Sequence, residues 1–173
     1  MLLAGTPLAC AHTHPWVVVD THRLTLSVLS PRHRVLARFA DIAIGSGGVA
    51  ALHWRGDQTT PSGRFRVAWI DRHSRFGLFF GLDYPTPRIA RRAYREGRLG
   101  LPALQAIVRA FEQGRLPPQH TALGGDLGIH GLGSDPVAIQ RLVNWTDGCV
   151  ALTNRQVLLL AQWVHVGTLV LIR

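Results

Sequence analysis

Short runs of alternating apolar and polar residues, each closed by glycine or proline, fill the first half of this chain and commit it to β-structure. Arg64–Ile70 (RFRVAWI) is the clearest: Phe65, Val67 and Trp69 recur with the period of two that puts them on one face of a strand. Trp16–Asp20 (WVVVD) is a compact β-branched run, Leu24–Leu29 alternates, and Val35–Ile44 and Val49–Trp54 are mixed segments able to pair with them. Gly45–Gly48 and Thr60-Pro61-Ser62-Gly63 carry turn chemistry between the runs. Leu78–Leu82 (LFFGL) is a further apolar strand, stopped by Pro85 and Pro87.

The period then changes. Arg88, Arg91, Arg92, Arg95 and Arg98 recur at helical spacing and give Arg88–Arg98 one basic face, read either as a solvated surface or as a guide for an anionic polymer. Leu101–Gln113 is a second amphipathic helix, closed by Gly114. A short strand is expected at Leu127–His130, a helical turn at Pro136–Val143, a polar loop at Asn144–Gly148 and a strand at Cys149–Leu152. Asn154 is placed to N-cap a helix reaching Val164, and Leu169–Ile172 is a terminal strand. The expected fold is mainly β: a single-domain sandwich or open barrel with two or three packed helices. It spans residues 16–173 and follows an N-terminal segment, residues 1–15.

Composition narrows the partners. The net charge is +9 over 173 residues, and all 19 basic side chains are arginine. Such a surface attracts anionic ligands. Nucleic acid is one, but no recognition motif is present and aromatic residues make up only 8% of the chain. No run approaches the roughly 18–20 apolar residues of a membrane span. Met1–Cys10 reads either as the remnant of an export signal or as a plain N-terminal strand; it lacks a basic start, and Pro7 breaks its apolar stretch. His12 and His14 lack a third ligand nearby, so neither a metal nor another cofactor is expected. His53, His73, His120 and His165 read as structural.

Two residues stand apart. His130 closes one apolar stretch and Cys149 opens another, each beside glycine. On neighbouring strands their side chains would meet at one sheet edge. There an imidazole can assist ionisation of a thiol, and the Gly148–Cys149 backbone can offer N–H donors to an oxyanion. The plainer reading is a cysteine packed in the core. The other cysteine, Cys10, would disable the nucleophile if the two were bridged.

Thr146-Asp147-Gly148-Cys149, with His130 upstream, resembles the signature of L,D-transpeptidase catalytic domains, in which a His precedes Ser/Thr-His-Gly-Cys. Gly56-Asp57…Thr60-Pro61-Ser62-Gly63-Arg64-Phe65 resembles the family's Gly-Asp…Thr-Pro-x-Gly-x-Phe turn and strand, and Leu82-Asp83-Tyr84-Pro85 and Gly167-Thr168 fit in order. Asp147 stands where most members have His, and Ala151 where many have Arg. Asn144-Trp145-Thr146-Asp147-Gly148-Cys149-Val150-Ala151 is closer to a branch reading Asp-Trp-Thr-x-Gly-Cys-Ile-Ala, which includes hydrolytic members.

The resemblance implies cell-wall chemistry in the periplasm or envelope. Cys149 would attack a peptidoglycan stem peptide and form a thioester, and an amine or water would resolve it. His130 would be the base, Gly131 O would orient it, and the Gly148 and Cys149 N–H groups would hold the oxyanion. Thr146, Asp147, Trp145, Asn144 and Tyr84 are the substrate-binding candidates, with a loop cap the other reading of Asp147 and core packing the other reading of Trp145. The alternatives are a hydrolase on the same substrate and a non-catalytic polymer-binding domain. The oligomeric state is open.

Overall fold

A computed structural model describes residues 13–173; Met1–Cys10 and His12 lie outside them. The elements in chain order are β1 (Trp16–Asp20), β2 (Thr25–Leu29), β3 (Val35–Phe39), β4 (Val49–Ala50), β5 (Thr60–Pro61), β6 (Gly63–Ser74), β7 (Gly77–Leu82), α1 (Pro87–Arg95), α2 (Leu101–Glu112), β8 (Gly128–His130), α3 (Val137–Leu142), β9 (Val150–Ala151), α4 (Asn154–Leu160) and β10 (Leu169–Ile172).

Eight strands form one mixed sheet in the order β3-β2-β1-β10-β6-β7-β8-β9, and β4 and β5 make a small parallel ladder. β6 is the spine. Its first residues pair with β10 and the remainder with β7, through two register shifts that bend the strand. The segment after β3 leaves one edge of the sheet and reaches the other: Ala43 bridges Ala151 of β9, and Gly45 bridges Thr146. One stretch of chain thus ties both edges, the closure expected of an open barrel.

Alternation sets the core. Val17, Val19, Leu26, Val28, Phe65, Val67, Val170 and Ile172 point inward and are almost fully buried. Each contributes roughly 1.5–3 kcal/mol of hydrophobic stabilisation. Ile89, Ala90 and Ala93 of α1 and Ile107 of α2 cover part of this core, and Val157 and Leu160 of α4 join it beside β8.

Several boundaries differ from the sequence reading. Val35–Ile44 stops being a strand at Phe39, because the rest crosses to the far edge. Thr60-Pro61, read as a turn, is β5. Four helices are present among the described residues, where two or three were expected. The basic helix ends at Arg95, and Arg98 instead lies over the Trp54 ring at 3.8 Å. The cap of α4 is Thr153, not Asn154: its hydroxyl accepts from Gln156 N–H while the Gln156 side chain returns to Thr153 N–H. Asn154 serves elsewhere, its Oδ1 accepting from Leu132 N–H at 2.8 Å and Gly133 N–H at 3.0 Å.

Candidate active site

β8 ends on His130 and β9 begins just after Cys149, and these two residues line one cavity. The two strands pair in parallel, Ile129 with Val150 and His130 with Ala151. One step back along that register sets Cys149 opposite Gly128. Ile129 and Val150 point into the core, so His130 and Cys149 share the other face as diagonal neighbours. Backbones in that relation stand roughly 7 Å apart, a gap an imidazole spans. The cavity they line measures about 540 Å³.

The His130 ring is held from every side. It stacks on Phe76 at 4.0 Å and lies nearly parallel to Phe79 at 5.7 Å, with Trp145 edge-on at 6.1 Å. Its Nδ1 is 2.6 Å from Gly131 O. That carbonyl selects the Nδ1–H tautomer and leaves Nε2 as the basic nitrogen. Gly131 has no room for a side chain: a Cβ there would lie 2.7 Å from Asn154 Oδ1 and 2.8 Å from Phe76 O. Burial, aided by Arg75, lowers the His130 pKa below its ordinary 6.5, against the pull of Gly131 and Asp135.

Cys149 is half-buried, and its thiol contacts Asp126 O at 3.6 Å. The crowding of protein around the sulfur, with the Asp147 and Asp126 carboxylates adding to it, pushes the thiol up to about 12, while Gly128 and Arg75 oppose the shift. Both shifts favour the neutral pair. These directions weigh against a preformed thiolate–imidazolium pair and toward proton transfer coupled to attack on substrate.

The loop before Cys149 is clasped by threonines. Thr146 is buried, and its hydroxyl donates to Cys149 O at 2.7 Å while accepting from Gly148 N–H at 3.2 Å. Thr60 Oγ1 donates to Gly148 O at 3.0 Å and accepts from Gly45 N–H at 2.8 Å. The Gly148 N–H, expected as an oxyanion donor, is therefore already engaged. The Cys149 N–H makes no hydrogen bond among the described residues. Gly148 adopts φ +129°, and a Cβ there would sit 2.7 Å from Thr59 O.

The other sequence candidates divide. Trp145 lines the cavity, its indole N–H donating to Gln140 Oε1 at 3.2 Å. Asp147 also lines it, exposed and accepting from Gln58 Nε2 at 3.1 Å. Asn144 is spent outside the cavity, its Oδ1 accepting from Ile44 N–H. Tyr84, expected in a substrate pocket, is fully buried in the core, where its hydroxyl donates to His53 O at 2.7 Å.

His53, read from sequence as structural, lines the same cavity while almost fully buried. Its Nδ1 lies 2.7 Å from Thr59 O and 3.0 Å from Asp57 Oδ1, and its ring lies against Gly148, the residue before Cys149. The available signal was its place four residues before Asp57, just ahead of the Thr59-Thr60-Pro61 stretch. Asp71 and Asp126 add carboxylates to the lining, and Arg55 and Arg75 add cations. Among the described residues no cluster of His, Cys, Asp or Glu could hold a metal ion.

The sequence profile of the L,D-transpeptidase catalytic domain (YkuD) matches residues 14–172. The chain belongs to the L,D-transpeptidase catalytic-domain family. Solved structures share its fold. Bd1075 of Bdellovibrio bacteriovorus is 19% identical with a TM-score of 0.59, over 96% of this chain and 50% of that one. An L,D-transpeptidase from Xylanimonas cellulosilytica is 18% identical with a TM-score of 0.50, over 98% of this chain and 65% of that one. One from Stackebrandtia nassauensis is 12% identical with a TM-score of 0.50, over 92% of this chain and 55% of that one. The family domain here thus spans half to two thirds of these chains. No curated protein matches the chain by sequence.

Proposed function

We propose that this L,D-transpeptidase-family domain transfers acyl groups of peptidoglycan stem peptides through a thioester on Cys149, with His130 as base. The observation that carries the reading is that the Cys149 thiol and an aromatic-clamped His130, with Gly131 O holding its Nδ1, line one cavity. His130 Nε2 takes the thiol proton as sulfur attacks the donor carbonyl. The oxyanion is met by the Cys149 N–H; donors of this kind are worth roughly 3 kcal/mol in other enzymes. The C–N bond breaks, His130 protonates the leaving terminal D-amino acid, and the acyl group remains on sulfur. An acceptor amine then gives up a proton to His130 and displaces the thiol.

Asp71, Asp126 and Asp147 line the cavity beside Arg55 and Arg75 and would hold a protonated acceptor amine, which attacks the thioester only after it has given up a proton. The catalytic unit is residues 16–173, working in the cell envelope, with residues 1–15 outside it.

Intact-mass measurement after exposure to a carbapenem tests the proposal. The expected result is one stable adduct on the wild type, absent in Cys149→Ala and slowed in His130→Ala. Purified peptidoglycan then separates crosslinked products from hydrolysed ones. If a generic thiol reagent modifies Cys149 but carbapenem does not, the substrate class is wrong. If neither reacts, Cys149 is not a nucleophile.

A further inference from the structure

A second and larger cavity, about 1260 Å³, lies between α1, the start of β6 and the end of β10, and shares no lining residue with the Cys149 cavity. Six arginines line it: Arg64 from β6, Arg88, Arg91, Arg92 and Arg95 from α1, and Arg173 after β10. No aspartate or glutamate is among the lining residues. Arg92 pairs with Glu96 at 2.9 Å, and none of the other five is within salt-bridge distance of a carboxylate among the described residues.

The helix adds to this field. α1 opens on the cavity through Thr86 and Pro87, and its first turn contains no acidic residue to offset the positive end of the helix dipole. Arginines three and four residues apart repel one another and weaken the helix, by roughly 0.2–0.5 kcal/mol per pair. The fold tolerates this crowding on one concave face and offsets it only in part, through Glu96 on Arg92 and through Asp20 acting on Arg173. A ligand of matching charge density completes it.

We propose that this groove docks a flexible chain of closely spaced phosphates, a polyphosphate-type polymer. Guanidinium forks bind phosphate oxygens in bidentate fashion, and six of them in one groove exceed what a single phosphate or carboxylate can neutralise. The concave shape disfavours a flat anionic bilayer, which would touch only the rim. Phe65 in the lining is buried and His22 offers a single exposed imidazole, a poor platform for the successive base stacking that single-stranded nucleic acid uses. Because the groove and the Cys149 cavity are separate, the polymer anchors the domain with its thiol site open. The proposal stands apart from the acyl-transfer reading.

The test is fluorescence polarisation of end-labelled long-chain inorganic polyphosphate with the full chain over a series of salt concentrations. The triple variant Arg88→Gln, Arg91→Gln, Arg95→Gln is compared with Arg32→Gln, Arg34→Gln, Arg72→Gln, which removes equal charge outside the groove. The groove variant is expected to bind at least about tenfold more weakly than the control variant, with a salt slope shallower by about three. Single Arg88→Gln, with a slope shallower by about one, keeps the test valid if the triple variant unfolds. Equal losses in both triples, no binding by wild type at low salt, or tighter binding to a charge-matched oligonucleotide or to phosphatidylglycerol vesicles would each overturn the proposal. So would polyphosphate blocking thiol modification at Cys149.

Discussion

Replacing Thr146 by valine removes one hydroxyl at nearly constant volume, and so isolates what that oxygen holds. It donates to Cys149 O at 2.7 Å and accepts from Gly148 N–H at 3.2 Å. Thr146 is 3% exposed and Gly148 is buried, so bulk water does not take its place freely. Each buried backbone group left unpaired costs about 1–3 kcal/mol, and the adjoining cavity lets water relieve part of that. The sum is about 3 kcal/mol, which for a domain of this size lowers the melting temperature by roughly 6–12 °C. Without the clasp the Cys149 loop loses its fixed position against His130, and carbapenem acylation slows by roughly ten- to a hundredfold. Thermal melts and an intact-mass time course measure both. Thr146→Ser keeps the hydroxyl and is expected to stay near wild type in each. A Thr146→Val protein that melts and acylates like the wild type would refute the clasp.

Other perturbations probe the same site and its surroundings. With the His130 pKa lowered from 6.5, the neutral imidazole persists at more acid pH, so the acid limb of the acylation rate should fall below pH 6.5; a midpoint above that value contradicts the assignment. With Cys149 raised to about 12, the thiolate ultraviolet absorbance that Cys149→Ala removes should be absent near neutral pH, and its presence there would mean a preformed ion pair. Burial raises the Asp83 carboxyl from 3.8 to about 6, so the folded state holds this proton more tightly than the unfolded chain. The contribution of Asp83 to stability is then greatest below pH 3.8 and is lost as pH rises through 6, by about 3 kcal/mol at most. Asp83→Asn keeps the acceptor for Arg66 N–H and should exceed wild type in urea midpoint at neutral pH, but not at acid pH. His53→Gln retains a donor for Thr59 O; an unchanged pH profile of acylation would assign His53 to structure alone.

Strands were legible either as compact apolar runs, as in Trp16–Asp20 and Leu169–Ile172, or as alternation with one face buried, as in Arg64–Ile70, which lies inside the longer β6. Cys149 and His130 were legible as a pair because both sit at strand ends beside glycine. Partners set by long-range contacts were not. Thr60 looked like turn chemistry, yet its hydroxyl holds Gly148 O, 88 residues away along the chain. His53 carried as its local mark only its place four residues before Asp57. Tyr84 looked like a pocket wall because aromatic walls are common in such clefts; only the packed fold shows its hydroxyl sealed against His53 O. Gly148 N–H looked free because nothing in the motif says that Thr146 folds back onto it.

The stretch that leaves β3 and crosses to β9 bears on the order of assembly. Ala43 exchanges both backbone hydrogen bonds with Ala151, and Ser46 N–H donates to Thr146 O. The loop that presents Cys149 thus hangs from segments made early and late in synthesis, and contacts of such long range form slowly. A nascent or partly unfolded chain carries the cysteine without its clasp, its imidazole or its cavity. Adduct formation at Cys149 therefore reports finished assembly, and the fraction of chains that acylate counts the molecules that have completed the fold.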